Sequence, residues 1–183
     1  MVQRIYEPWP GDIILLEAEG NGLYRKAAEW LLGTRWTHIV IFYDHTKRGL
    51  PLVIESIGKG VMIRSIYSSE GRHALVLRHR DRDKALEAAK RAERLSDNPI
   101  SWYDYWAIPR YVLPRLIFYK IFGRRHSFGY RRNPFFICSE LIDEAYGCIV
   151  PENRLPPLPQ DFLAIPEFLQ IWEGKIASKG GIS

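Results

Sequence analysis

The stretch FFICSELIDEAYG, residues 135–147, contains Cys138, the most chemically capable side chain in the sequence. Behind it Leu141, Ile142 and Ala145 recur at helical spacing, and Glu140, Asp143 and Glu144 are expected on the opposite, polar side. Gly147 and Pro151 supply stop signals, so the spacing predicts a short helix with the cysteine in its first turn. Unpaired N–H groups and the positive end of the helix dipole favour an anion at such a place. That setting makes a thiolate more available and a thiol more nucleophilic. The competing reading is an inert cysteine packed as a small hydrophobe. Cys148, beyond Gly147, lacks the helix-start setting and is expected to pack in the core. Ten residues apart and flanking one helix, the two cysteines are too distant for a disulfide.

A cysteine nucleophile needs a base within hydrogen-bond reach, and the base needs a third group to orient it. Of five histidines, His45, His73, His79 and His126 lie in a turn or in charged surroundings and are expected to be solvated. No pair of histidines has metal-ligand spacing, so neither a metal nor another cofactor is expected. His38 differs, because it interrupts WTHIVIFY, a segment otherwise fit for burial. Alternation puts His38, Val40 and Phe42 on one face of a strand, and Val53, Glu55 and Ile57 on one face of the next. A hairpin turning around residues 46–48 places His38 opposite Glu55 or its neighbour. A carboxylate there can hold the imidazole in one tautomer and stabilise its charged form. A purely structural His–Glu pair at the rim of the sheet is the alternative.

These side chains need elements to hold them. PGDIILLEAEG reads as a turn and a buried strand, GLYRKAAEWLLG (22–33) as a helix, and RWTHIVIFYD (35–44) as a central strand. LVIES, GVMIRSI and ALVLRH continue the strand pattern, and Ala-rich 82–98 reads as a surface helix. After the Cys138 helix the chain turns Pro-rich, and DFLAIPEFLQIWEG suggests a last short helix. No repeat or linker divides the 183 residues, so one α+β domain with a mostly antiparallel sheet packed against helices accounts for them.

The net charge of +5 is unevenly placed, with seven Lys or Arg and no Asp or Glu between Arg110 and Arg132. The first residues lack a charged-then-apolar leader and no apolar run is long enough to span a bilayer, so the expected location is cytoplasmic.

PGDIILL followed by a helix and THIVIFY resembles the Pro-Gly-Asp strand and histidine strand of NlpC-type papain-like cysteine hydrolases, and CSELIDEAY resembles their nucleophile helix. In the usual order the cysteine helix comes first. Here it comes last, which resembles the circularly permuted branch, the YiiX/YebB-like group, whose ending PLPQDFLAIPEF is also similar to. The resemblance covers residues 8–80 and 134–170 and stops across about 99–132, an aromatic, basic insertion. It implies a permuted papain-like fold with the nucleophile at a helix N-terminus, Cys138 attacking, His38 as base and Glu55 in the third polar position. The oxyanion would meet the backbone N–H of Cys138 and a second donor. Amidase or peptidase activity through a thioester, on peptides of the cell-wall type, is what such a resemblance implies. Trp36, Ser139 and Tyr103 are the candidate substrate-binding side chains.

Other functions compete. Lecithin:retinol acyltransferase-like enzymes share the order of His before Cys and act on lipids, and IPRYVLPRLIFYKIFGRR has a composition able to lie in a membrane interface. Their Asn-Cys-Glu-His motif is absent, since Ile137 precedes Cys138. The same stretch also reads as core packing or a lid, and anionic membrane contact through residues 110–132 is the alternative. A binding module that kept the fold without the chemistry is a further reading. Basic residues interleaved with Tyr, Phe and Trp could stack bases. No nucleic-acid motif accompanies them, so the expected partners are peptide, amide or lipid acyl compounds.

Overall fold

The computed structural model describes residues 7–18, 22, 26, 29–30, 32–98, 106, 108–123, 130 and 136–176. Five strands are formed by the segments with strand pattern: β1 (Ile13–Glu17), β2 (Trp36–His45), β3 (Pro51–Ile57), β4 (Gly60–Ser65) and β5 (His73–His79). Helix α1 (Arg82–Ser96) follows, capped by the Asp81 carboxylate on the N–H groups of Asp83 and Lys84. Its alanines 85, 88, 89 and 92 are buried and its charged residues face out. Further on lie α2 (Leu113–Phe122), α3 (Cys138–Ala145) and a sixth strand, β6 (Phe168–Lys175). Of the described residues of the predicted 22–33 helix, Lys26, Glu29, Trp30 and Leu32 are helical, with Gly22 in a bend and Gly33 in a turn at its limits.

All pairings are antiparallel, in the order β4-β3-β2-β1-β5-β6. β1 and β2 are therefore central, and β1 is buried on both faces. Ile13 and Leu15 join Ile39, Ile41, Ile54, Leu141 and Ile142 beneath α1 and α3, while Ile14 and Leu16 join Val40, Phe42, Val53 and Val76 on the other face. Strand alternation thus builds two apolar layers around one sheet.

The Pro-Gly-Asp turn explains itself in this packing. The Asp12 carboxylate accepts both Arg78 nitrogens of β5, at 2.8 and 2.7 Å, and the N–H of Trp9 at 2.8 Å. Arg78 in turn stacks 3.9 Å from the Trp9 ring centroid. At Gly11, with φ of 91°, a Cβ would fall 2.2 Å from the backbone oxygen of Ala85. Only glycine lets α1 approach this closely. The hydroxyl of Tyr146, after α3, donates to the Gly11 carbonyl. Burial and the Asp12 charge push that phenol upward, which keeps it protonated as a donor.

Several expectations need correction. DFLAIPEFLQIWEG contains no final helix: after a 3-10 turn (Pro159–Ala164), Phe168–Lys175 pairs with β5 as an edge strand. Pro166 interrupts helical hydrogen bonding, and the open edge of β5 takes up the following backbone. Cys148 is exposed, at a φ of 61° just past Gly147, instead of packing in the core. The αL geometry that ends α3 turns it outward. Glu140 and Asp143 are buried although the helical pattern assigned them to the polar side. Each carboxylate accepts a backbone N–H, Glu140 from Ile137 and Asp143 from Val150, both at 2.7 Å. His79, expected to be solvated, is buried against Tyr146 and Phe168 and accepts the Asp81 N–H at 3.0 Å.

Candidate active site

β2, β3 and α3 bring the three predicted side chains together. Cys138 is the first residue of α3, half-buried, with Ile137 as the N-cap. His38 is close enough to Cys138 on one side for the thiol's charge and hydrogen bonding to act on its ring. Its Nε2 stands 2.8 Å from Glu55 Oε2 on the other, which leaves Nδ1 for proton exchange with the thiol.

The register that makes this contact is not the expected one. The β2–β3 turn lies later, with the Thr46 N–H bonded to the Leu50 carbonyl and the ladder irregular between Phe42 and Asp44. Ile41 then faces Ile54 and Phe42 faces Val53. Continued by one step, this register sets Val40 opposite Glu55, and His38 reaches the carboxylate along the diagonal. A residue missed in the sequence completes the row: Arg64 of β4 donates to Glu55 Oε1 at 3.1 Å. The signal was available in the strand phase, since Arg64 lies opposite Val53, two residues from Glu55 and on the same face.

The electrostatics follow from burial and partners. Burial alone would lower the His38 pKa, but the charge and hydrogen bond of Cys138, joined by those of Glu55, raise it to about 9. Glu55 is 4% exposed, and burial alone would raise its pKa. The hydrogen bond and charge of His38, with Arg64, outweigh that and hold the carboxyl below its usual range. The arrangement favours an imidazolium beside the Glu55 carboxylate.

Backbone clamps fix the start of α3. Ser56, next to Glu55, donates to the Phe136 carbonyl at 2.6 Å, and Ser139 donates to the Pro157 carbonyl at 2.7 Å. Glu140 accepts the Ile137 N–H on one oxygen and the Tyr130 hydroxyl on the other. Ser56, Glu140 and Tyr130 were not among the predicted site residues: Ser56 holds a carbonyl 80 residues away, which leaves no local pattern, whereas the three-residue spacing from Ile137 to Glu140 is a legible helix-start signal. Of the candidate substrate-binding residues, Ser139 is 1% exposed and Trp36 5% exposed beneath Arg35. Neither presents its side chain to solvent, and the Ser139 hydroxyl positions the nucleophile's helix. Tyr103 lies outside the described residues.

No protein-family model matches the chain, and no curated protein matches its sequence. Among solved structures it is similar to the metalloprotein YiiX of Escherichia coli O157:H7. The TM-score is 0.56 at 13% identity, covering 93% of this chain and 99% of that one. Among the described residues, no group of three or more His, Cys, Asp and Glu could hold a metal ion. Near His73 the carboxylates of Glu17 and Glu173 already share the Arg35 guanidinium. The likeness is one of architecture, and over nearly its whole length the chain has a YiiX-like α+β fold with a six-stranded antiparallel sheet.

Proposed function

We propose that this chain is a cysteine hydrolase of the circularly permuted, NlpC-type papain-like class, cleaving amide or ester bonds through an acyl-enzyme. One observation carries the reading: His38 lies between a helix-start cysteine and a buried carboxylate. The Cys138 thiolate attacks the substrate carbonyl, and the oxyanion is met by the Cys138 N–H, which has no acceptor within its own helix turn. The His38 imidazolium gives its proton to the departing amine or alcohol as the C–N or C–O bond breaks, leaving a thioester. Water then attacks the thioester while His38 takes its proton, and the acid leaves as the thiol is restored. Glu55 orients the ring and stabilises its charged form throughout. Peptides of the cell-wall type are the substrate class implied by the sequence resemblance, and an amine or alcohol in place of water would turn the same cycle into acyl transfer.

The test is incubation with p-nitrophenyl acetate, read by p-nitrophenol release and intact mass. A burst with one acetyl group on Cys138, absent in Cys138→Ala and strongly reduced in His38→Ala, is expected. Turnover without dependence on Cys138, or no adduct at all, would replace this reading with that of a binding module on the same fold.

A further inference from the structure

Helix α2 has apolar residues on two sides. On its inner side Val112 and Leu116 pack with Ile137 and Leu158, and the Arg115 side chain is enclosed beside them. On its outer side Leu113, Ile117 and Ile121 follow one another at helical spacing, with Phe122 at the end, and they are 37%, 45%, 68% and 61% exposed. Trp106 precedes this stripe at 78% exposure, and Trp30 stands beside it at 67%, its ring 5.3 Å from the Lys120 ammonium. A helix facing water normally carries charged residues on such a side. A contiguous apolar patch rimmed by polar groups marks a surface with a partner.

The charge at the rim narrows the partner. Arg110 and Lys120 are exposed at its border, and the sequence from Arg110 to Arg132 holds seven cations and no acid. Of the cations among the described residues, Arg115 is withdrawn into the core and contributes nothing to this face. An apolar stripe, exposed tryptophans and unopposed cations together match an anionic lipid surface. The aliphatic groups enter the acyl boundary, the indoles sit at headgroup depth, and Lys and Arg meet lipid phosphates.

We propose that the outer face of α2, with Trp30 and Trp106, is a docking surface for anionic lipid bilayers. The helix lies in the plane of the interface and does not cross it, and no described helix is long and apolar enough to cross a membrane. Its inner side rests on Ile137, the N-cap of the Cys138 helix, so a single helix separates the bilayer from the start of α3. The docking does not depend on the hydrolase reading.

Co-sedimentation of the intact chain with phosphatidylcholine vesicles, with and without phosphatidylglycerol, tests it. Partition onto the anionic vesicles is expected to exceed that onto neutral ones by about tenfold at low salt, and to fall several-fold as salt rises. Ile117→Glu with Ile121→Glu should reduce it by about tenfold or more. Both positions are exposed, so the melting temperature should hold. Should that pair fail to fold, Trp30→Ser with Trp106→Ser tests the same surface. Arg110→Glu with Lys120→Glu should weaken binding to anionic vesicles alone. Absence of vesicle binding, equal binding to neutral and anionic vesicles, or binding unchanged in the apolar variants would each overturn the proposal. So would a concentration-dependent dimer, abolished by the same variants, in a chain that ignores vesicles; the face would then belong to a second copy.

Discussion

At His38 two opposed effects meet. Burial favours the neutral ring, and the charge and hydrogen bonds of Cys138 and Glu55 more than offset it. The NMR titration of His38 should therefore fall near pH 9, and Cys138→Ala, which removes the largest raising cause, should lower it by about one unit or more. Because the folded pKa is raised, the stability linked to protonated His38 is complete below about 6.5 and is lost as pH climbs through about 9. Alkylation by iodoacetamide reports the same pair. Cys138, beside His38 at the start of α3, should be labelled several-fold faster than Cys148 at neutral pH. Cys148 is exposed, so it serves as the internal reference, and equal labelling rates for the two thiols would dissolve the pair. Glu55→Gln should lower kcat for p-nitrophenyl acetate by about 10- to 100-fold, less than His38→Ala, because the amide cannot stabilise an imidazolium. Unchanged kinetics would move the orienting role elsewhere.

At the scale of elements, two close contacts hold the site's supports together. Gly11 is where β1, α1 and the end of α3 meet, and its φ of 91° is strained for any residue with a Cβ. Gly11→Ala should cost about 3 kcal/mol or more in urea unfolding, as backbone clash and backbone strain add. The start of α3 depends on the serine clamps. Ser139→Ala leaves the Pro157 carbonyl buried without its donor, and a loss of about 1–3 kcal/mol is expected. Since the hydroxyl holds the helix that carries Cys138, kcat should also fall in Ser139→Ala and recover in Ser139→Thr where the methyl is accommodated. A rise in KM alone would instead assign Ser139 to substrate.

Across the whole molecule, the insertion is joined to the 3-10 turn Pro159–Ala164, beyond the nucleophile's helix, through a buried charge pair. Arg115 of α2 and Asp161 are each 1% exposed, 3.6 Å apart, and Arg115 also donates to the Pro156 carbonyl. Asp161 further accepts the Leu158 N–H at 2.9 Å and faces Arg154 at 3.8 Å. Removing one partner of such a pair leaves a buried charge, so Arg115→Ala should cost about 3–5 kcal/mol. Asp161→Ala in that background should cost much less than it does alone, which a double-mutant cycle on denaturant midpoints reads directly. Hydrogen exchange should show α2 opening before β1 and β2 in Arg115→Ala, because the central strands are covered on both faces independently of it.

What the sequence by itself determined is what neighbours along the chain encode. Alternation and helical spacing identify β1 to β5, α1 and the helix that starts at Cys138, and they put His38 on a central strand. Those patterns arise because each element must bury one face, and the residues concerned are two to four positions apart. Tertiary structure decided the rest. The Glu55 contact depends on a turn and a ladder irregularity that shift the register by one or two residues. Arg64, Ser56 and Arg115 act on partners 9, 80 and 41 residues away. Polar side chains such as Glu140, Asp143 and His79 are read as exposed from type alone, yet packing covers them, and a backbone N–H two to seven residues along the chain satisfies each. The free edge of β5, which no local pattern announces, makes a strand of residues that otherwise read as a helix.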